Sequence, residues 1–317
     1  MVPIVDGLPS NTGPDVSAAT VLLLGCNGQL GCELHRALPA LGQMVAFDYP
    51  EIDFSRPETL RVLVRDVRPG VVVNAAAYTA VDNAESEQDK ARAINAEAPG
   101  VLAEECERLG AIFVHYSTDY VFDGTKPAAY VETDATNPLS VYGLTKRDGE
   151  LAAARCRRHL VFRTSWVVGV HGKNFIRTML RLAAERETLR VVDDQVGAPT
   201  SVDLLAGTTL AVLSQVGSVG ADDRPWGLYH LTAAGETSWN GLARRVIARA
   251  TGQGMALRVK PENVAPISTF EYPTPAKRPA NSRLDTTKLR SVFGLVPSQW
   301  AEGVDAIVDQ IVKECGI

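Results

Sequence analysis

No stretch of the 317-residue chain is apolar for long enough to cross a bilayer as a helix, which takes roughly 20 consecutive, mostly apolar residues. Positive charge is in no surplus either. Lys and Arg number 32 against 37 Asp and Glu, a formal net charge of −5. A mildly acidic chain has no general attraction for polyanions, so neither nucleic acid nor an anionic membrane is an expected partner. Cysteine is sparse and odd in number, and Cys26, Cys32, Cys106, Cys156 and Cys315 include no C-x-x-C pair. That argues against a disulfide framework or a zinc site and points to a reducing, cytoplasmic setting. Residues 1–17 contain Pro, Gly, Asn and Asp but no basic segment leading into an apolar one. They read as a loose extension and not as a signal peptide. Internal repeats and low-complexity tracts are also missing.

What the chain does have is an ordinary hydrophobic fraction of 45%, enough for a sizeable core in one large domain or two fused ones. Short apolar runs at Val21–Leu24, Val45–Phe47, Val71–Val73, Ile112–Val114 and His159–Arg163 are strand candidates. Amphipathic segments such as Pro57–Val67 and Ala91–Arg108 lie between them. Continuous apolar strands alternating with helices predict an α/β fold with a doubly wound parallel sheet covered on both faces. Such a sheet places its ligand crevice at the carboxyl ends of the strands. After Trp166 the pattern loosens into helices at Phe175–Glu187, Leu204–Leu213 and Trp239–Ala250. Strands are expected at Leu189–Val192 and Gly227–Leu231, and a Pro-rich stretch spans Pro261–Pro279. The expected division is a dinucleotide-binding, Rossmann-like domain over 18–166, joined by late elements around 200–232. A smaller interleaved substrate lobe then takes 167–199 and 233–317.

Gly25-Cys26-Asn27-Gly28-Gln29-Leu30-Gly31 follows the first strand directly. Glycines there permit a tight turn, let a pyrophosphate approach the backbone, and let helix pack on strand. The helix N-terminus beyond offers free N–H groups and the positive end of its dipole. Asp48, just after the second strand, is placed to accept hydrogen bonds from the adenosine ribose and would repel a 2′-phosphate, favouring NADH. A glycine-rich turn with an unrelated Asp is the bland alternative. The order strand, glycines, helix, strand, acid favours the dinucleotide.

Tyr142 and Lys146 stand at i and i+4 near the start of a helix running to about Arg155, so they share a face. A carbonyl reductase needs a proton donor at the oxygen as hydride reaches carbon. A nearby ammonium should lower the phenol's pKa from its reference of about 10 and make it a usable general acid. Thr118, in Ser117-Thr118-Asp119-Tyr120 at the end of the fourth strand, could hydrogen-bond the same oxygen. Tyr-x-x-x-Lys alone is common; its position after the fourth strand of this sheet gives it weight.

These residues resemble the extended short-chain dehydrogenase/reductase family, and within it the reductases of dTDP-linked keto sugars. The matching blocks are Gly25–Gly31, Val73–Val81 (VNAAAYTAV), His115–Phe122 (HYSTDYVF), Tyr142–Lys146, Phe162–Val167, Asp194–Thr200 (DQVGAPT), Tyr272–Ala276 and Arg278–Leu284. They run from about Val21 to the C-terminus. The resemblance implies reduction, by NADPH or NADH, of the C4 keto group of dTDP-6-deoxy-L-lyxo-4-hexulose to dTDP-L-rhamnose. It implies Tyr142 as proton donor, Lys146 as its partner and a ribose ligand, and Thr118 at the keto oxygen. Gly28, Gln29 and Leu30 would line the pyrophosphate and Asp48 the adenosine ribose. Asp53 and Phe54 would flank the adenine, and Ala76, Ala77 and Tyr78 the nicotinamide half. Trp166 would wall the sugar pocket with Tyr120 and Thr79 near it, and Asn174 follows a loop that holds the nucleotide diphosphate.

Some dimeric members of the family bind magnesium through three carboxylates, and the matching positions are Glu33, Asp203 and Glu302. Asp203 is one methylene shorter than the glutamate expected there. Magnesium demands near-ideal octahedral geometry at about 2.1 Å, so surface acids that bind nothing are the stronger reading. Monomer and homodimer both stay open. Trp166 reads equally as core or pocket wall, and Arg278 and Arg283 equally as a diphosphate clamp or solvated loop residues. His115 reads as a structural histidine and Cys26 as packing. A nucleotide-sugar 4-epimerase that retains NAD+ fits the same motifs. So does a non-catalytic dinucleotide-binding subunit of the kind associated with methionine adenosyltransferase, although Thr118, Tyr142 and Lys146 speak against it.

Overall fold

A computed structural model describes residues 19–218 and 225–316; the extension expected over 1–17 lies outside them. The first half alternates strands β1 (Val21–Leu24), β2 (Met44–Phe47), β3 (Val71–Asn74), β4 (Ile112–Thr118) and β5 (His159–Thr164) with helices. These helices are α1 (Gln29–Ala37), α2 (Pro57–Val67), α3 (Val81–Ala84), α4 (Gln88–Arg92), α5 (Ala98–Leu109) and α6 (Val141–Ala153). Then follow β6 (Val167–Val168), α7 (Phe175–Glu185), β7 (Leu189–Val192), β8 (Val196–Gly197), β9 (Thr200–Ser201) and α8 (Val202–Ser218). The chain continues through β10 (Gly227–His230), β11 (Thr237–Ser238), α9 (Trp239–Gly252), β12 (Val264–Ile267), α10 (Thr287–Phe293) and α11 (Trp300–Glu314).

Six strands form one sheet in the order β10-β5-β4-β3-β1-β2, every pair parallel. β1, β3 and β4 are buried at every residue, as strands covered on both faces must be. On one face Leu23, Val73, Val114 and Phe162 pack with Leu34 of α1 and Leu205 and Val212 of α8. On the other, Leu22, Val72, Phe113 and Val161 pack with Leu60 and Val64 of α2 and Leu102 of α5. Because β2 and β3 flank β1 on opposite sides, the winding reverses there and a crevice opens beyond the strand ends. A separate apolar cluster joins α7, α9 and α11 through Ile176, Leu180, Val246, Ile247, Ile307 and Val308. β7, expected as a strand, pairs with β12 in its own two-stranded sheet and not with the main one. Among the described residues no helix is long and apolar enough to cross a membrane.

The helix expected over Ala91–Arg108 is interrupted. A π turn occupies Ala93–Glu97, between α4 and α5. Pro99, at the start of α5, has no N–H to give to the Asn95 carbonyl, so the ladder has a gap at that carbonyl and the turn widens. The freed Asn95 carbonyl faces Gly149 of α6, where a Cβ would come within 2.1 Å of it. The buried Asn95 amide meanwhile accepts from Tyr78 N at 2.8 Å and donates to Thr145 Oγ1 at 3.2 Å. The widened turn thus anchors α6 to the loop after β3.

Behind α6, Glu150 and Arg163 form a bidentate pair at 2.8 and 2.7 Å with both side chains buried. Truncation of one partner leaves the other charge uncompensated. Glu150→Ala should cost about 3–5 kcal/mol in urea denaturation; an unchanged midpoint would contradict this account of α6.

Candidate active site

The glycine turn after β1 is shaped by close approach. Gly25 takes φ +82, and a Cβ there would sit 2.5 Å from Ala76 N; a Cβ on Gly31 would sit 1.9 Å from the Gly25 carbonyl oxygen. Gly28 is the N-cap of α1, with no side-chain cap and no acid in the first turn. Gly28 N donates to the Gly25 carbonyl at 3.2 Å, while the N–H groups of Gln29 and Leu30 at the start of α1 keep no intrahelical partner; all three residues line the cleft. An anionic group fits such a cradle, and the absent Cβ atoms leave it room. Asp48, at the end of β2, clasps the turn: one carboxylate oxygen accepts from Asn27 N and the other from Tyr49 N, each at 2.7 Å.

The end of β4 meets the first turns of α6. Ser140 caps α6 by accepting from Gly143 N at 3.2 Å, which fixes where Tyr142 begins the helix. Thr118 stands beside the Tyr142 hydroxyl, and the Tyr142 ring packs edge-on to Tyr120 with centroids 5.5 Å apart. Burial pushes the Tyr142 phenol up to about 12, opposed by the neighbouring Thr118 side chain. Lys146 is buried, its Nζ donating to the Tyr116 carbonyl at 2.6 Å and lying 3.3 Å from His115 Nε2. Burial pushes its ammonium down to about 8, and Glu150 opposes this. The expected lowering of the phenol by Lys146 is therefore not what the geometry gives. Desolvation dominates both groups, and the lysine is turned toward β4.

Asp119 is 2% exposed and its carboxyl is pushed up by burial to about 6. One oxygen accepts from Thr118 Oγ1 at 3.1 Å, and the other, Oδ2, has no hydrogen-bond partner. Thr118 Oγ1 in turn accepts from Tyr120 N at 3.1 Å.

The opposite wall is aromatic. Trp166, at a left-handed φ of 49, stacks on Trp239 at 3.6 Å and 12°, and Phe175 leans on Trp239 at 4.8 Å. A bulky residue at positive φ is strained and persists only where packing holds it. Trp239 Nε1 is held by Gln195 at 3.1 Å. Asn174 caps α7 and donates to Gln29 Oε1 at 3.0 Å, tying this wall to the glycine turn.

One cleft of about 730 Å³ joins these pieces. Gly25, Gly28, Gln29, Leu30, Asp48, Phe54, Ala76, Ala77, Thr79, Thr118, Tyr120, Tyr142, Lys146, Trp166 and Asn174 all line it. Three expected residues do not. Gly31 lies under the turn it makes possible, against the Gly25 carbonyl. Asp53 instead caps its own turn, accepting from Ser55 N and Oγ at 3.0 and 2.6 Å. Tyr78 has its backbone clasped by Asn95 and its ring 5.6 Å under Lys90 Nζ.

Among the described residues no group of His, Cys, Asp or Glu comes together in a way that could hold a metal. Glu33 pairs with Arg36 at 2.8 Å, and Asp203 and Glu302 do not join it. Arg278 is engaged by Asp82 at 2.8 Å and Arg283 by Glu236 at 3.1 Å, so neither is a free clamp. Burial and the Asp48 charge push the Cys26 thiol up, away from reactive thiolate, and all five cysteines are free. Asp119, Lys173, Phe175 and Trp239 also line the cleft, unanticipated from sequence. Phe175 and Trp239 each follow a polar cap, Asn174 and Ser238, which was the available signal.

The raised Asp119 value has a signed consequence. Folding favours its protonated form, so its contribution to stability is full below the ordinary carboxylate value of about 4 and is lost as pH rises through about 6. Across that window the stability gap between Asp119→Asn and the parent should shift in favour of the variant as pH rises, in denaturant titrations; a gap independent of pH would contradict the burial argument.

The comparisons with known proteins agree with one another. The family model for the RmlD substrate binding domain matches residues 19–313. The dTDP-4-dehydrorhamnose reductase of Burkholderia thailandensis is 48% identical over 296 residues, covering 93% of this chain and 99% of that protein. The dTDP-4-dehydrorhamnose reductase of Escherichia coli K12 is 47% identical over 304 residues, with 94% and 99% covered. The crystal structure of the Bacillus anthracis dTDP-4-dehydrorhamnose reductase in complex with NADP has a TM-score of 0.83 to this fold at 34% identity, covering 92% of this chain and 99% of that one. With the strand-end cleft, the glycine turn and the Tyr142–Lys146 face already in place, these matches show that the chain belongs to the dTDP-4-dehydrorhamnose reductase family of oxidoreductases.

Proposed function

We propose that this chain reduces the C4 keto group of dTDP-6-deoxy-L-lyxo-4-hexulose, giving dTDP-L-rhamnose. The observation that carries the reading is the meeting of Tyr142, Thr118 and Lys146 in the same cleft as the glycine turn. The relatives' shared activity supports the substrate, and the NADP bound to the Bacillus anthracis relative supports a nicotinamide cofactor. NADPH or NADH would supply the hydride. Residues 18–166, with the late elements around 200–232, would carry the dinucleotide, and 167–199 with 233–317 the sugar nucleotide.

In this reading Gly28, Gln29 and Leu30 line the pyrophosphate, and the N–H groups of Gln29 and Leu30 at the start of α1 donate to it. Asp48 accepts from the adenosine ribose with the lone pairs its two backbone bonds leave. Phe54 flanks the adenine and Ala76 and Ala77 the nicotinamide half, with Tyr78 just behind them. Lys146 reaches the nearer ribose. Trp166, Tyr120 and Thr79 bound the sugar, and Asn174 fixes the loop beside the diphosphate.

Tyr142 gives its proton to the keto oxygen while Thr118 turns its hydroxyl proton from Asp119 Oδ1 to that oxygen. A phenol held up near 12 keeps its proton throughout the neutral range, which is the form a donor requires. An alkoxide is a far stronger base than a phenolate, so transfer to the developing oxygen is downhill. Lys146 sits one helical turn away to favour the phenolate that results. The chain would work in the cytoplasm, as a monomer or homodimer.

Tyr142→Phe should leave NADPH binding unchanged and lower kcat by about 10²–10⁴-fold in an assay with the enzymatically generated keto sugar. Parent-like turnover in that variant, or sugar interconversion without consumption of reduced nicotinamide, would overturn the reductase reading.

A further inference from the structure

A line of buried polar groups runs from the cleft floor to Lys146, and each link has a direction. Ala76 N can only donate, and it donates to Asn74 Oδ1 at 3.2 Å. That fixes the amide, so Asn74 Nδ2, a donor, faces His115 Nδ1 at 3.3 Å. Nδ1 must then accept, and the ring carries its single proton on Nε2. Nε2 lies 3.3 Å from Lys146 Nζ. An Nε2–H can point at an amine lone pair but not at an ammonium, which has none. Asn74, His115 and Lys146 are all buried, so no solvent relieves a mismatch.

We propose that Asn74 and His115 are positioning residues that form a two-position switch setting the charge on Lys146. In one position Asn74 donates to Nδ1, Nε2–H donates to Nζ, and Lys146 is an amine giving one N–H to the Tyr116 carbonyl. In the other, Lys146 has taken one proton from solvent and donates to Nε2. The ring proton then sits on Nδ1, and the Asn74 amide turns its oxygen to meet it and surrenders the Ala76 N–H. The cost of that rearrangement resists protonation of Lys146. His115 stays neutral in both positions, held far below its ordinary value by burial and by the lysine.

The remaining charged and titratable groups around Nζ come from every packed element. Glu150 lies one turn along α6 and is neutralised by Arg163 of β5. Tyr142 lies one turn back, and Asp119 closes the end of β4. From the π turn, Asn95 is uncharged and engaged with Thr145. None of them reverses the direction set by Ala76. The low value of Lys146, about 8, places the switch close to neutral pH. The consequence for catalysis rests on the reductase reading above; the switch itself does not.

The test is NMR on the full chain without substrate, with 15N-histidine reporting the His115 tautomer and 13C-lysine reporting Lys146. Above the lysine titration, His115 is expected to carry its proton on Nε2. In Asn74→Asp both side-chain oxygens are acceptors, so Nδ1 must hold the proton, Nε2 must accept, and the ammonium is favoured. Lys146 should then titrate higher by about one unit or more, and the limb of kcat/KM that depends on Lys146 should move with it. A wild-type Nδ1–H tautomer at high pH, a His115 imidazolium, or an unmoved Lys146 titration in Asn74→Asp would each overturn the switch. Should Asn74→Asp fail to fold, the wild-type tautomer alone decides. A reductase assay that failed while the tautomer held would sink the function and leave the switch standing.

Discussion

The close approach of α6 to the end of β4 is the constraint on which the rest of the cleft depends. Two glycines allow it. A Cβ at Gly143 would sit 2.2 Å from the Tyr120 carbonyl oxygen, and one at Gly149 would sit 2.1 Å from that of Asn95. With both side chains absent the helix settles onto the sheet edge and the π turn, and Lys146 reaches the Tyr116 carbonyl. Tyr142, one turn earlier, is thereby fixed beside Thr118, on the wall of the cleft beyond the strand ends. Chemistry at this site is set by backbone packing before any side chain titrates.

Burial then decides the electrostatics. Lysine beside tyrosine suggests, from charges alone, a phenol made more acidic. In the fold the lysine turns toward β4 and desolvation prevails, so the phenol and the Asp119 carboxyl both rise while the Lys146 ammonium falls. All three are moved toward their uncharged forms. A cleft of that kind is arranged to receive charge from its ligands and to develop it during reaction, where the low dielectric makes each fixed dipole count for more.

Much of this was legible in the sequence because it is local. Val21–Leu24, Gly25–Gly31 and Asp48 follow one another as a strand, a turn and an acid, and their spacing alone fixes their meeting. Tyr142 and Lys146 share a helix face by periodicity. The illegible parts depend on distant pairings. Trp166 and Trp239 stack although 73 positions separate them, and nothing near either residue announces the other. Asp53 and Tyr78 sit close in sequence to cleft residues, yet local hydrogen bonds to Ser55 and Asn95 place them outside. The π turn needed both Pro99 and a neighbour able to receive the displaced carbonyl, and only the fold reveals Gly149 there.

The most direct measurement is a crystal structure of the chain with NADP+ and dTDP-L-rhamnose. The account predicts the sugar O4 within about 3 Å of both Tyr142 Oη and Thr118 Oγ1, with the nicotinamide on the same carbon and the pyrophosphate on the N-terminus of α1. A sugar whose O4 points away from both hydroxyls, or a dinucleotide bound away from the glycine turn, would contradict it.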